Sequence, residues 1–210
     1  MMRLDKLLVI KGYFSSRQKA KEAIKRGFVI VNGKVVTKPS YDVEFDAEID
    51  VLQDEKPKGY WKLKELDERW NLIKEGDIVL DLGSSAGGFL LYASEKAERV
   101  YGIEYSREFE EELKKIERER KNVKVFLANA FTFDLSNLEP LDLILSDLTL
   151  KPSHAWKATK RFLSILKPKG RILFVAKTGI YNEDVDFSPL KVVDWMDSKD
   201  RKERYYLLSI

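Results

Sequence analysis

With 210 residues the chain has room for one medium domain and one small one, and 44% hydrophobic content allows a proper core in the larger. No cysteine and a single histidine exclude disulfides, zinc fingers and thiolate nucleophiles, predict no metal site, and fit a reducing compartment. No apolar run approaches the roughly 20 residues of a membrane span, and Met1 to Lys6 lacks the apolar segment of a signal peptide, so a cytoplasmic chain without membrane association is expected.

The net charge of +3 is unevenly spread. Residues 1–40 carry ten Lys or Arg against two acids, net +8, which leaves 28 against 33 in the remainder. That asymmetry is expected when a nucleic-acid-binding module is joined to a catalytic domain.

In chain order, leucines at 4, 7 and 8 mark one face of a first helix, which Gly12 stops. Ser15 with Gln18 is a capping-box pattern for a second helix, ended by Gly27. Ala20, Ala23 and Ile24 line its inner face. Arg17, Lys21 and Lys25 form an i, i+4 stripe flanked by Lys19 and Arg26, a spacing suited to contacting successive phosphates. Phe28 to Val31, Asn32-Gly33 and Lys34 to Val36 predict a hairpin with a type I′ turn, and Ile49 to Val51 a closing strand.

The run Arg3-Leu4-Asp5-Lys6-Leu7-Leu8, Ser15-Ser16-Arg17, Ala20 to Ile24, Gly27 and Val29 to Val36 resembles the RNA-binding domain named after ribosomal protein S-four. The resemblance covers nearly all of residues 1–52 and implies a small α+β domain that presents its second helix to structured RNA. Arg17, Lys19, Lys21, Lys25, Arg26 and Lys34 are its candidate RNA-binding residues.

Residues 53–59, Gln-Asp-Glu-Lys-Pro-Lys-Gly, read as a linker, and the second domain is expected over residues 60–210. A helix from Tyr60 to Asn71 is anchored by Trp61, Leu63, Leu66 and Trp70. Ile78 to Leu82 then reads as a strand, Gly83 to Gly88 as a tight loop and Phe89 to Ala93 as the start of a helix, the place where open α/β sheets bind ligands. Its G-x-x-x-G-G spacing is not that of dinucleotide binders. Glu104 ends the next strand, where its carboxylate can accept both hydroxyls of a ribose. This pair of acid-terminated strands around a glycine loop resembles the first two cofactor motifs of the S-adenosylmethionine-dependent methyltransferases.

A helix over Ser106 to Arg120 follows, then strands at Val123 to Leu127 and Asp142 to Ser146, a helix over Ser153 to Leu166 and a strand at Arg171 to Ala176. Alternating strands and helices predict a mainly parallel sheet. Lys191 to Trp195 and Glu203 to Ile210 read as a closing hairpin, and residues 177–191 leave room for a short helix or none. Asp147 and Lys177 both end apolar strands at the ligand-binding edge. Desolvation or a second cation, for which Lys62 is the candidate, lowers a lysine's pKa towards the range in which its amine acts as a base.

Trp61-Lys62-Leu63, Asp81 to Phe89, Ser146-Asp147, Phe174 to Lys177 and Arg201-Lys202-Glu203 fall in the order found in the FtsJ-type RNA ribose methyltransferases, and the chain resembles that family. Together with the amino-terminal domain, the resemblance is to the TlyA, or hemolysin-A-like, group. It implies a Rossmann-like α/β methyltransferase sheet with a C-terminal antiparallel hairpin, a Lys62, Asp147, Lys177 and Glu203 tetrad, and S-adenosylmethionine as cofactor. Lys177 would be the base, Lys62 would keep it deprotonated, and Asp147 and Glu203 would position it. Asp81, Gly83, Gly87, Gly88, Phe89, Glu104 and Asp147 would line the cofactor, with Asn129 or Phe131 at the adenine. The implied partner is structured RNA, foremost ribosomal RNA or a ribosomal subunit, and the implied product a ribose 2′-O-methyl group. A base methyltransferase and a non-catalytic ribosome assembly factor are the alternatives. Ala86, Asn129 and Leu148-Thr149-Leu150 depart from the usual pattern of the family.

Overall fold

The amino-terminal elements follow the apolar spacing closely. The computed structural model describes residues 1–52, 56–199 and 201–210, in two units, Met1–Glu55 and Lys56–Ile210. The first contains β1 (Met2–Arg3), α1 (Leu4–Ile10), α2 (Arg17–Lys25), β2 (Val29–Val31), β3 (Lys34–Val35), β4 (Asp42–Val43) and β5 (Ile49–Val51). Strands pair as β3-β2-β5 and as β1-β4, the second pair being one that the sequence did not announce. Leu4, Leu7, Leu8, Ala20, Ile24 and Val29 form the core. Asn32 and Gly33 have φ of 48° and 77°, the two left-handed positions of a type I′ turn.

Two local readings shift. The cap of α2 is Ser16, not Ser15: its extended backbone lets the hydroxyl accept from the amide of Lys19 at 3.2 Å. Position N3 is therefore Lys19 rather than Gln18, and no reciprocal side-chain cap forms. Arg17 is also not a free member of the basic stripe. Its guanidinium donates to Asp5 at 2.9 Å, beside Arg3 at 3.1 Å, and the Asp5 carboxylate is fully buried. Burial alone would raise Asp5, but the bonds to Arg3 and Arg17 outweigh it and hold the carboxyl at about 2.

In the larger unit α3 (Lys58–Trp70) starts at Lys58, with Pro57 as its cap. Lys58 and Gly59, expected in the linker, are thus helical; positions 53–55 of that expectation lie outside the described residues. There follow β6 (Ile78–Leu82), α4 (Gly88–Ser94), β7 (Arg99–Glu104), a 3-10 turn, α5 (Glu110–Glu119), β8 (Val123–Leu127), β9 (Leu141–Ser146), α6 (Pro152–Lys160), β10 (Leu166–Lys177), β11 (Lys191–Asp197) and β12 (Glu203–Ser209). The helix expected to reach Leu166 tightens to 3-10 geometry from Arg161, whose guanidinium donates to the carbonyls of Ala130 and Phe133. No helix occupies residues 178–190.

The seven strands run β11-β12-β10-β9-β6-β7-β8. From β10 to β8 neighbours are parallel, while β12 and β11 are antiparallel additions. Alternation along each strand divides the apolar residues between two cores: Leu80, Ile144 and Phe174 face one side with Trp156 and Phe162, while Val79, Leu143 and Leu173 face α3, α4 and α5 through Leu63, Leu90 and Leu113. The chain moves outward from β6 in one direction, then restarts at β9 on the other side of β6. That reversal opens a crevice at the carboxyl ends of β6 and β9.

Asp5 offers a stability test of the small unit. Its pKa is depressed, so its stabilisation is present above the unfolded value near 4 and is lost as pH falls through about 2. Asp5→Asn is expected to cost about 2 kcal/mol and to speed amide exchange of core residues in this unit about 30-fold at neutral pH. The difference from wild type shrinks towards pH 2, as hydrogen-exchange mass spectrometry will show.

Candidate active site

Four charged side chains from four elements close into a ring at the crevice. Lys62 on α3 donates to Asp147 Oδ2 and pairs with Glu203 Oε2, both at 2.8 Å. Lys177, the last residue of β10, reaches Asp147 Oδ1 and Glu203 Oε1, both at 2.7 Å. Cations and carboxylates alternate, so each charge has two opposite neighbours. Backbone geometry explains the meeting: Glu203 opens the antiparallel β12 directly across from Lys177, and Asp147 is held just beyond β9 by its amide bond to Leu82 at 3.0 Å. Lys62 comes from the helix packed over the sheet, with its ammonium between the rings of Phe89 and Tyr205 at 5.7 and 5.6 Å.

Lys62 and Glu203 are buried, and Lys177 retains 26% of its side-chain surface. Burial opposes ionisation of Asp147, but Lys62 and Lys177 outweigh it and hold that carboxyl below its ordinary value. Lys177 moves opposite to expectation. Burial would lower its pKa, yet the Asp147 and Glu203 carboxylates dominate and raise it. The correction has a simple cause: the two lysines meet through shared carboxylates, so Lys62 does not act on Lys177 as an uncompensated cation.

Tyr205, which the sequence reading passed over, donates its hydroxyl to Glu203 Oε2 at 2.9 Å. Burial and that carboxylate raise its pKa, keeping the proton in place. The period of two places Glu203 and Tyr205 on one sheet face, a signal available in the sequence.

Two adjoining clefts flank the ring. One, of about 460 Å³, is lined by Lys62, Gly83, Ser85, Gly88, Phe89 and Asp147. The other, of about 470 Å³, is lined by Gly83, Glu104, Phe109, Asn129, Phe131 and Asp147. Gly83 has φ +82°, and a Cβ there would lie 2.5 Å from the Asp147 carbonyl oxygen, so the crossing of the two loops requires glycine. Gly87 does not line either cleft. Its missing side chain makes room for Ile116 of α5, whose Cδ1 would lie 2.2 Å from a Cβ, so its part is packing. Asn129 turns its oxygen back to the amide of Phe131 at 2.9 Å. Burial raises the Glu104 carboxyl.

Asp81 is fully buried two residues before Gly83, and neither carboxylate oxygen has a hydrogen-bond partner. Burial, with Asp147 and Glu104 adding repulsion, pushes it up to about 8. A buried acid in want of a donor beside a glycine-lined cleft fits a ligand carrying a cationic group. The elongated pair of clefts, with a carboxylate at Glu104 and an aromatic ring at Phe131, fits a nucleoside bearing an amino-acid chain. Trp156, by contrast, packs against Phe174 and Phe187 in the core. Among the described residues no group of three or more His, Asp or Glu could hold a metal ion, and no helix is long and apolar enough to cross a membrane.

Residues 56–180 match the FtsJ-like methyltransferase family and residues 2–49 match the S4 domain. The chain belongs to the FtsJ-like methyltransferase family. It is similar to Hemolysin A of Brachyspira hyodysenteriae, 29% identical over 70% of this chain and 63% of that protein. It is also similar to the ribosomal RNA large subunit methyltransferase E of Methanobrevibacter smithii, 40% identical over 26% of this chain and 28% of that one. The chain thus spans less than two thirds of the curated relatives it matches. In fold it resembles a solved Streptococcus thermophilus chain described as a hemolysin, with a TM-score of 0.59, 20% identity and coverage of 98% of this chain and 87% of that one. Aeropyrum pernix fibrillarin, solved with natively bound S-adenosyl-L-methionine, has a TM-score of 0.56 and 23% identity over 65% of this chain and 68% of its own.

Two substitutions test the electrostatics. Lys62→Met leaves Asp147 Oδ2 without its partner, takes the cation from Glu203 Oε2, which keeps only the Tyr205 hydroxyl, and is expected to destabilise the fold by about 3 kcal/mol, measured by chemical denaturation. Asp81→Asn is expected to raise the ligand-free melting temperature, and more at pH 8 than at pH 5. Only the charged acid is penalised, and the wild-type penalty grows from the unfolded pKa near 4 up to about 8.

Proposed function

We propose that the protein transfers a methyl group from S-adenosylmethionine to a ribose 2′-hydroxyl of ribosomal RNA, acting in the cytoplasm. The observation that carries this reading is the closed ring of Lys62, Asp147, Lys177 and Glu203 at the carboxyl edge of the sheet, with the more exposed lysine at its rim. Membership of the FtsJ-like methyltransferase family supports the reaction class, and the S4 match with its basic face supports an RNA substrate.

In this reading Glu104 holds the ribose of the cofactor and Phe131 faces its adenine. Gly83, Gly88, Phe89 and Asp81 serve the amino-acid end. When bound, the cofactor supplies a sulfonium-activated methyl group. A ribose hydroxyl is a weak nucleophile, so it must lose its proton as it attacks. Lys177 is the group placed to take that proton, Asp147 and Glu203 fix its ammonium in position, and Lys62 balances their charge. The Asp147 and Glu203 carboxylates raise the Lys177 pKa in the ligand-free protein, so the amine must lose a proton before it can act as the base. Lys19, Lys21, Lys25, Arg26 and Lys34 provide sequence-independent attraction to RNA phosphates, and Arg17 does so while tied to Asp5.

The test incubates the protein with methyl-labelled S-adenosylmethionine and unmodified ribosomal subunits and digests the RNA with alkali. Label in alkali-resistant dinucleotides, lost in Lys177→Ala, is the expected result. Label in mononucleotides would move the chemistry to a base, and RNA binding without label would favour an assembly factor. The pH profile adds a second expectation. The rate rises with pH, and Glu203→Gln shifts the ascending limb to lower pH, since removing one of the two carboxylates lowers the Lys177 pKa.

A further inference from the structure

Glu203 is the corner of the ring that follows a turn. Lys62 stands within α3, Lys177 ends β10 and Asp147 directly follows β9, whereas Glu203 comes straight after residues 198–202, which join β11 to β12. A slip of one residue in that connection would turn the Glu203 carboxylate to the other face of the sheet.

Ser198 fixes the register. Its amide donates to the Glu203 carbonyl at 2.8 Å, as in an ordinary antiparallel pair. The Glu203 amide in turn donates to the Ser198 hydroxyl at 3.1 Å, and the same oxygen accepts from the Arg201 amide at 3.2 Å. Both lone pairs of the hydroxyl are thereby used within the turn. The chain is pinned a second time at Lys202, whose φ of 52° is one that a residue with a side chain seldom adopts. Its carbonyl accepts from the Thr178 amide at 2.8 Å, just beyond Lys177. The residues that follow β10 and β11 therefore hold the start of β12 between them.

We infer that Ser198 is a positioning residue for the proposed reaction: its hydroxyl holds the Glu203 backbone at the depth from which the carboxylate reaches Lys177 and Lys62 together. The inference rests on the reading of Lys177 as the base. Glu203 meets the two lysines at 2.7 and 2.8 Å, and hydrogen bonds of that length do not survive a displacement of about 1 Å. The lysines and the Tyr205 hydroxyl set where the carboxylate points. Ser198 sets where its stem begins, and so acts on Lys177 through Glu203.

Two measurements on the full chain test this in wild type, Ser198→Ala, Ser198→Thr and Asp197→Asn. One is an NMR titration of Lys177 with isotope-labelled lysine, its signal assigned by loss in Lys177→Arg, which needs no turnover. The other is the pH profile of methyl transfer to unmodified ribosomal subunits. In Ser198→Ala two amides lose their acceptor and the carboxylate withdraws, so Lys177 titrates at lower pH and the ascending limb of the rate follows it. Misplacement lowers kcat by up to about 100-fold, while KM for RNA and for the cofactor stays unchanged. Ser198→Thr keeps the hydroxyl and matches wild type in both measurements. Asp197→Asn breaks the Arg204–Asp197 pair of the same hairpin and leaves Lys177 where it was. Added to Glu203→Gln, Ser198→Ala lowers the rate no further, because both act on one corner. Ser198→Cys, close in size but a weak acceptor, gives the Ser198→Ala result and replaces it if that variant does not fold. An active wild type with an unmoved Lys177 in Ser198→Ala, an equal shift in Asp197→Asn, or an additive double variant overturns the positioning role and leaves the reaction in place. A wild type that labels no ribose in any RNA overturns the reaction, and the role with it.

Discussion

The rest of the larger unit depends on how two ammonium groups and two carboxylates share one partly buried place. Isolated, any of these charges would be costly to remove from water, and a single pair would leave lone pairs or protons unmet. Alternation removes that problem: each lysine meets two carboxylates and each carboxylate two lysines. Such a ring demands that α3, the β9 end, the β10 end and the start of β12 all arrive within hydrogen-bond reach. The antiparallel β12 is what makes this possible, since only a reversed strand brings its first residue to the edge where the parallel strands finish.

The same constraint sets the charge state of the site. Pairing holds Lys177 protonated and aimed, so the group proposed as base is pre-positioned but not pre-ionised. Asp81 shows the opposite economy of charge. It lies in the sheet with no donor, and burial keeps it near neutrality. One acid is satisfied by the protein's own cations and the other has no hydrogen-bond partner in the protein, two charge states set by environment alone. The small basic unit repeats the first arrangement at Asp5, where one buried carboxylate gathers two arginines and joins α1 to α2.

Much of this was legible in the chain. Leucine spacing at 4, 7 and 8, the Asn32-Gly33 turn, the apolar runs ending in Asp81, Glu104, Asp147 and Lys177, and the alternation of strands with helices each carry a local physical signal. They determined the elements, the two-part organisation of the chain and the edge of the sheet at which chemistry belongs. Local signals were weaker at boundaries. Which of Ser15 and Ser16 caps α2 depends on which hydroxyl reaches the third amide, and α6 gives way to 3-10 geometry at Arg161, which bonds two distant carbonyls.

What the sequence by itself determined is thus the inventory of strands, helices and candidate charges, because periodicity and turn chemistry act over a few residues. Only the tertiary structure decided how those charges see one another. The direction of the Lys177 shift, the capture of Arg17 by Asp5, the packing duty of Gly87 and the Tyr205 bond to Glu203 all arise from neighbours brought close by folding. Electrostatic and steric interactions depend on distance through space, and residues 62, 147, 177 and 203 become neighbours only when the sheet closes around its edge.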